Sequence, residues 1–92
     1  MQMLNANGEA SSGVSEFAKL SAELHNVIGT RFADEENYPE ALKNFNKAID
    51  LNPDYVSAYF NRGTVKIELG DFTGARADFN NAYKLNFPNA TQ

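Results

Sequence analysis

Six residues recur at one fixed offset. Gly29, Ala41, Phe45, Ala48, Leu51 and Asn52 return as Gly63, Ala75, Phe79, Ala82, Leu85 and Asn86, each 34 residues later. Thr30/Thr64 and Asn46/Asn80 repeat as well, and Tyr38/Phe72 repeat in character. A period of this length means one supersecondary unit copied and stacked, because a single unit cannot bury its apolar face alone. The offset restricts the fold to a helical repeat and the function to binding by a helical surface. It does not name what is bound.

The apolar spacing supplies the helices. Phe17, Leu20, Leu24, Val27/Ile28 and Phe32 follow at three-to-four intervals, the spacing of a helix face. They predict a first helix that starts at Ser12 or Ser15, either able to cap it, and runs to about Asp34 or Glu35. Its first two turns precede the repeat register and extend it. Asn37 is expected to cap a second helix with Pro39 in its first turn, where a missing N–H costs nothing. Ala41, Leu42, Phe45, Ala48, Ile49 and Leu51 form the stripe it buries, and Asn52-Pro53 stops it. Asp54 is expected to cap a third helix from about Tyr55 to Leu69, which Gly70 ends in the left-handed region. Asp71 caps a fourth helix from about Phe72 to Leu85, closed by Asn86-Phe87-Pro88.

The predicted fold class is therefore all-α. Two antiparallel helix–turn–helix hairpins stack as a short right-handed α-solenoid with an N-terminally extended first helix. Residues 1–13 carry two glycines and no periodicity and read as a disordered or flexible tail. Residues 14–89 form the domain, with repeat one at 22–55 and repeat two at 56–89. Residues 90–92 are a C-terminal tail.

Charge and composition narrow the function. The net charge is −4 and Lys and Arg do not cluster, which argues against nucleic acid, since phosphate neutralisation supplies most of that affinity. The same balance argues against an anionic membrane surface. There is no cysteine, so disulfides, thiol chemistry and Cys-based metal sites are out. No signal peptide or apolar run of spanning length is visible, and a cytoplasmic location is expected. His25 is the single histidine, and its register makes it a core or half-buried packing residue rather than a catalytic base. Asp34-Glu35-Glu36 reads as a solvated run at the end of the first helix, not a metal cluster. No catalytic, cofactor-binding or metal-ligating residue is expected, and the chain does not read as an enzyme.

The recurring residues resemble the tetratricopeptide repeat, a helix–turn–helix unit of the same period. Repeat two carries the fuller signature: Tyr59-Phe60-Asn61-Arg62-Gly63, then Gly70-Asp71-Phe72, then Ala75, Phe79 and Ala82. In this reading Gly29 and Gly63 let the helices of a hairpin approach, Ala41 and Ala75 accept the contact, and Phe45 and Phe79 fill the space between hairpins. There are departures. His25 stands where repeat two has Tyr59, and Lys66 stands where repeat one has Phe32; both predict weaker packing within a hairpin. Pro88 comes one position later than its counterpart Pro53 and predicts a shifted ending.

The resemblance implies a protein or peptide partner, gripped by a concave face built from the first helix of each hairpin. Carried onto this sequence, that face holds Glu23, Asn26, Thr30 and Asp34 from repeat one. From repeat two it holds Ser57, Phe60, Asn61, Thr64, Ile67 and Glu68. Such a face suits a segment with an apolar side chain flanked by Lys or Arg. One family subset grips the C-terminal carboxylate of chaperone tails; Asn61 alone matches its pattern, so that recognition is not expected here.

Two repeats leave open ends. Leu42 in repeat one becomes Arg76 in repeat two, as a polar terminal helix requires, yet Phe79, Tyr83 and Phe87 stay apolar. At the other end Phe17, Leu20, Leu24 and Val27 offer more apolar stripe than one hairpin can bury. The leading expectation is a non-catalytic interaction module, an adaptor or scaffold. The alternative is a structural homo-oligomer that associates through these open ends. A fragment of a longer array is a further possibility, against which the polar tail and Arg76 argue.

Overall fold

The computed structural model describes residues 13–89, and among these there are four helices and no strand. They are α1 (Glu16–Asp34), α2 (Tyr38–Leu51), α3 (Val56–Glu68) and α4 (Phe72–Asn86). The expected tails, apart from Gly13, lie outside the described residues. α1 packs on α2 and α3 on α4 as two hairpins, and α2 packs on α3 to stack them. The result is the expected all-α hairpin solenoid. α4 ends one residue later in the repeat than α2, at Asn86 rather than Leu85, as the displaced Pro88 predicts.

The helix ends show which local signals operate. Ser15 caps α1, its hydroxyl accepting from the Ala18 amide at 3.1 Å. Both first helices then close with the same Schellman motif. The amides of Glu36 and Asn37 donate to the carbonyls of Ala33 and Phe32 at 2.9 and 2.8 Å. Those of Gly70 and Asp71 donate to Ile67 and Lys66 at 3.0 and 2.8 Å. The motif needs a positive φ at its turning residue. Gly70 takes it at 82°, and Glu36 takes it at 60°, where a Cβ is penalised. The acidic run Asp34-Glu35-Glu36 thus contains the first chain reversal.

Two expected caps are corrected. Asn37 occupies the N-cap position of α2 but its side chain makes no capping bond. A cap accepts from the second or third helical amide; Pro39, the second helical residue, has no N–H to offer, and the amide of Glu40, the third, makes no bond to the Asn37 side chain. Asp54 does not cap α3: Tyr55 holds that position, and Asn52 instead accepts the Asp54 amide through Oδ1 at 3.3 Å, tightening the turn. Asp71 does cap α4, accepting from the Gly74 amide at 2.9 Å.

The core adds an aromatic ring to the expected contact at each glycine. A Cβ at Gly29 would lie 2.6 Å from Cε1 of Phe45, and one at Gly63 would lie 2.7 Å from Cε1 of Phe79. Each glycine therefore makes room for the phenyl ring of its own hairpin. Phe45 also reaches the next hairpin: it is 0% exposed and clusters with Ala41 and Val65, with Phe32, Tyr38 and Leu42 around them. Ala22, Ala48 and Ala58 form a second cluster at the hairpin junction, bordered by Ile49, Leu51 and Tyr55. Phe79, with no described helix stacked beyond it, is only half-buried.

Lys66 stands in an ionic cluster where repeat one has the Phe32 ring. Asp78 is 1% exposed. The Arg62 guanidinium holds both its oxygens, at 2.9 Å from Nε and 2.7 Å from Nη2. Lys66 Nζ adds a contact at 3.1 Å, and Arg62 Nη1 donates to Asn46 at 2.8 Å. Burial alone would raise the Asp78 pKa; the hydrogen bonds from Arg62 and Lys66 outweigh it and hold the carboxyl below its ordinary value. The equivalents in repeat one are Ile28, Phe32 and Asn44. One hairpin is therefore closed by apolar packing and the other by a buried ionic cluster. His25 is half-buried as expected, with Nδ1 3.3 Å from Asn44 Oδ1.

Candidate functional site

α1 and α3 present the face that the sequence assigns to binding. Glu23, Thr30, Asp34, Ser57, Phe60, Thr64, Ile67 and Glu68 are exposed on it. Asn26 is not: it is 9% exposed, and its amide is already engaged. Its Nδ2 donates to the Tyr55 hydroxyl at 3.3 Å and its Oδ1 accepts from Asn61 Nδ2 at 3.1 Å. The pair ties α1 to α3 across the hairpin junction, so Asn26 acts as structure and Asn61, half-buried, has one amide hydrogen committed. The hydroxyls of Thr30 and Thr64 donate back to the Asn26 and Phe60 carbonyls at 2.9 and 3.0 Å. What this face offers a partner is the 56% exposed ring of Phe60, with Ile67 further along α3.

The residues that the sequence places at the open C-terminal end lie beside this ring. Val56, Ser57, Phe60 and Asn61 of α3, with Phe79, Ala82, Tyr83, Asn86 and Phe87 on the α4 side, line one groove of about 370 Å³. Its wall is aromatic. Phe60 and Phe79 have ring centroids 5.4 Å apart, and Tyr83 and Phe87 5.1 Å apart, both tilted, within the usual range for aromatic pairs. Two sets of residues assigned to different roles thus form one surface. Val56 was not assigned to binding from the sequence, and Ala82 entered only as a repeat position; their place in the repeat register is the signal that finds them.

The other predicted surface stands apart. Phe17, Leu20, Leu24 and Val27 run along α1 on the side away from α2, between 58% and 79% exposed. A second depression, about 330 Å³, is polar and lined by His25, Lys43, Asn44, Asn46, Lys47 and Asp50. Among the described residues no three of His, Cys, Asp and Glu are placed to hold a metal ion. Nor is any described helix long and apolar enough to cross a membrane.

Comparison with known proteins agrees with the geometry. A family model for the TPR repeat matches residues 29–67, and one for the tetratricopeptide repeat matches residues 56–89. The chain is 41% identical over 70 residues to tetratricopeptide repeat protein 36 of Danio rerio, covering 76% of this chain and 37% of that protein. It is 41% identical over 54 residues to Hsp70-Hsp90 organizing protein 3 of Arabidopsis thaliana, covering 59% of this chain and 10% of the relative. It is also 40% identical over 69 residues to the UDP-N-acetylglucosamine–peptide N-acetylglucosaminyltransferase of Giardia intestinalis, covering 75% of this chain and 5% of that enzyme. The chain spans little more than a third of these relatives at most. With its period, its paired hairpins and both repeats matched, the chain belongs to the tetratricopeptide repeat family and carries two repeats.

Proposed function

We propose that this chain is a non-catalytic protein-interaction module that takes an apolar segment of a partner protein against Phe60, Phe79, Tyr83 and Phe87. The observation that carries the reading is the groove itself. A small domain has little reason to leave four aromatic rings around one concave space unless something covers them, and exposed aromatics anchor partners more often than other residues do. The similarity to an Hsp70-Hsp90 organizing protein supports an adaptor role. It does not extend to grip on a chaperone tail, because Asn26 is buried and Asn61 is bonded to it.

The test is quantitative affinity capture from source cells with the native chain and with a Phe60→Ser/Tyr83→Ser variant. Both side chains are more than half exposed, so the variant keeps its fold, which circular dichroism checks. The reading expects a set of captured proteins to be lost with the variant. Unchanged capture by a folded variant overturns it.

A second reading has its own observation. The exposed stripe Phe17, Leu20, Leu24 and Val27 has three-four-three spacing, the spacing of a helix-pairing seam. It favours association of two copies through α1. Sedimentation across a concentration series tests this, with Leu20→Glu/Leu24→Glu expected to abolish any dimer. A monomer at every concentration overturns it.

A further inference from the structure

The groove has a counterpart inside the molecule. Val56, Phe79, Ala82 and Tyr83 stand 34 positions after Ala22, Phe45, Ala48 and Ile49. Those four are covered by α3, through Ala58 in one cluster and Val65 in the other. Among the described residues, the same surface is occupied by a helix in repeat one and left open in repeat two, and the way α3 docks states how a further helix would lie there.

The rim then specifies that helix. Beside Ala58, α3 carries Asn61, which meets Asn26; the repeat-two equivalent of Asn26 is Phe60. A helix on the open groove therefore needs an apolar residue at this place. Seven positions after Ala58, Val65 shares its cluster with Leu42; the equivalent of Leu42 is Arg76. Arg76 is exposed and pairs with no carboxylate among the described residues. A helix here needs an acid at Val65's place. A second copy of this chain is the wrong occupant: its α1 would bring Leu24, Val27 and Arg31 to these positions, setting Arg31 against Arg76. Like charges juxtaposed at an interface exclude a partner.

We propose that the open groove docks an amphipathic helix of another protein. That helix presents a small apolar residue, an apolar residue three positions on, and a carboxylate seven positions on that pairs with Arg76. This identifies the kind of partner for the groove of the preceding section and rests on that reading.

Two synthetic helices test it against the full chain. Both span Ser15 to Glu35 of this sequence with Leu24→Ala; one also carries Arg31→Glu. Binding is read by titration calorimetry and by NMR shifts of Phe79 and Tyr83. The acidic peptide is expected to bind about tenfold more tightly, since exchanging a repulsive rim pair for an attractive one changes affinity by roughly that factor. Arg76→Glu in the full chain is expected to reverse the preference. Equal binding of the two peptides overturns the assignment of the acid while leaving the groove as a binding site. Binding of neither up to millimolar concentration overturns the groove itself. Head-to-tail assembly of the native chain, abolished by Phe79→Ser, overturns the exclusion of a second copy.

Discussion

Alanine at Gly29 and at Gly63 is the most discriminating stability experiment, because identical substitutions at equivalent positions should differ. In an open helix interior, Gly→Ala gains about 1 kcal/mol. At Gly29 the new methyl would sit 2.6 Å from Cε1 and 2.8 Å from Cδ1 of Phe45, about 1 Å inside an ordinary carbon contact. Phe45 is fully buried among Ala41, Val65, Leu42 and Phe32, so the ring has nowhere to go. Overpacking of this kind costs about 1–3 kcal/mol and more when the clash is direct, which leaves a net loss of about 2 kcal/mol. At Gly63 the distances to Phe79 are nearly the same, 2.7 and 3.0 Å. Phe79, however, has the open groove beside it and can swing toward Tyr83. The gain and the cost there nearly cancel. Thermal melts followed by far-UV circular dichroism should lose about 8–16 °C for Gly29→Ala and change by less than about 4 °C for Gly63→Ala. Adding Phe45→Leu to Gly29→Ala should recover part of the loss as a favourable coupling. Equal losses at both glycines, or a stabilised Gly29→Ala, would refute the assignment of Phe45 as the clashing and immovable partner.

Further outcomes follow from the helix ends and the ionic cluster. Asp78→Ala leaves Arg62 and Lys66 without their carboxylate; both retain some access to water, with side chains 19% and 21% exposed. The loss should be about 2–3 kcal/mol in urea denaturation, at the low end for a broken buried pair. Replacing all three residues by their repeat-one equivalents (Arg62→Ile, Lys66→Phe, Asp78→Asn) should recover most of it. Because the folded Asp78 carboxyl is held below its ordinary value, its contribution is present above the unfolded pKa of about 3.9 and is lost as the pH falls through the folded value. Stability measured between pH 5 and about pH 2 should therefore fall more steeply for the native chain than for Asp78→Asn. Glu36→Gly relieves a positive φ and should stabilise by about 1 kcal/mol, whereas Gly70→Ala should destabilise by a similar amount.

The sequence made the four helices and their pairing legible because the repeat period and the apolar spacing report the same buried faces. Gly70 and Asp71 were readable because each acts through its own backbone or its nearest turn. Asn37 and Asp54 were not: a polar residue caps only if the turn sets it at the N-cap with its side chain toward the first amides, and Asp54 falls one residue short of that position while Asn37 holds it without the bond. The Arg62–Lys66–Asp78 cluster was invisible residue by residue. Comparing repeats would have found it, since three positions that touch in space change together from Ile28, Phe32 and Asn44 to two cations and an anion. The candidate site was half legible. Phe60 and Tyr83 were named from separate faces, and only the packing of α3 on α4 brings them to one groove. The register of Asn26 alone points to a ligand contact, but the residue is buried and its amide is spent on Tyr55 and Asn61.

The central claim, that partners dock at the aromatic groove, is tested most directly by site-specific photocrosslinking in source cells. A photoreactive residue replaces Tyr83 in one chain and Lys47, in the second depression, in another. The account predicts discrete adducts with another protein from position 83 and none from position 47. Adducts from position 47 alone, or the same adducts from both positions, would contradict it.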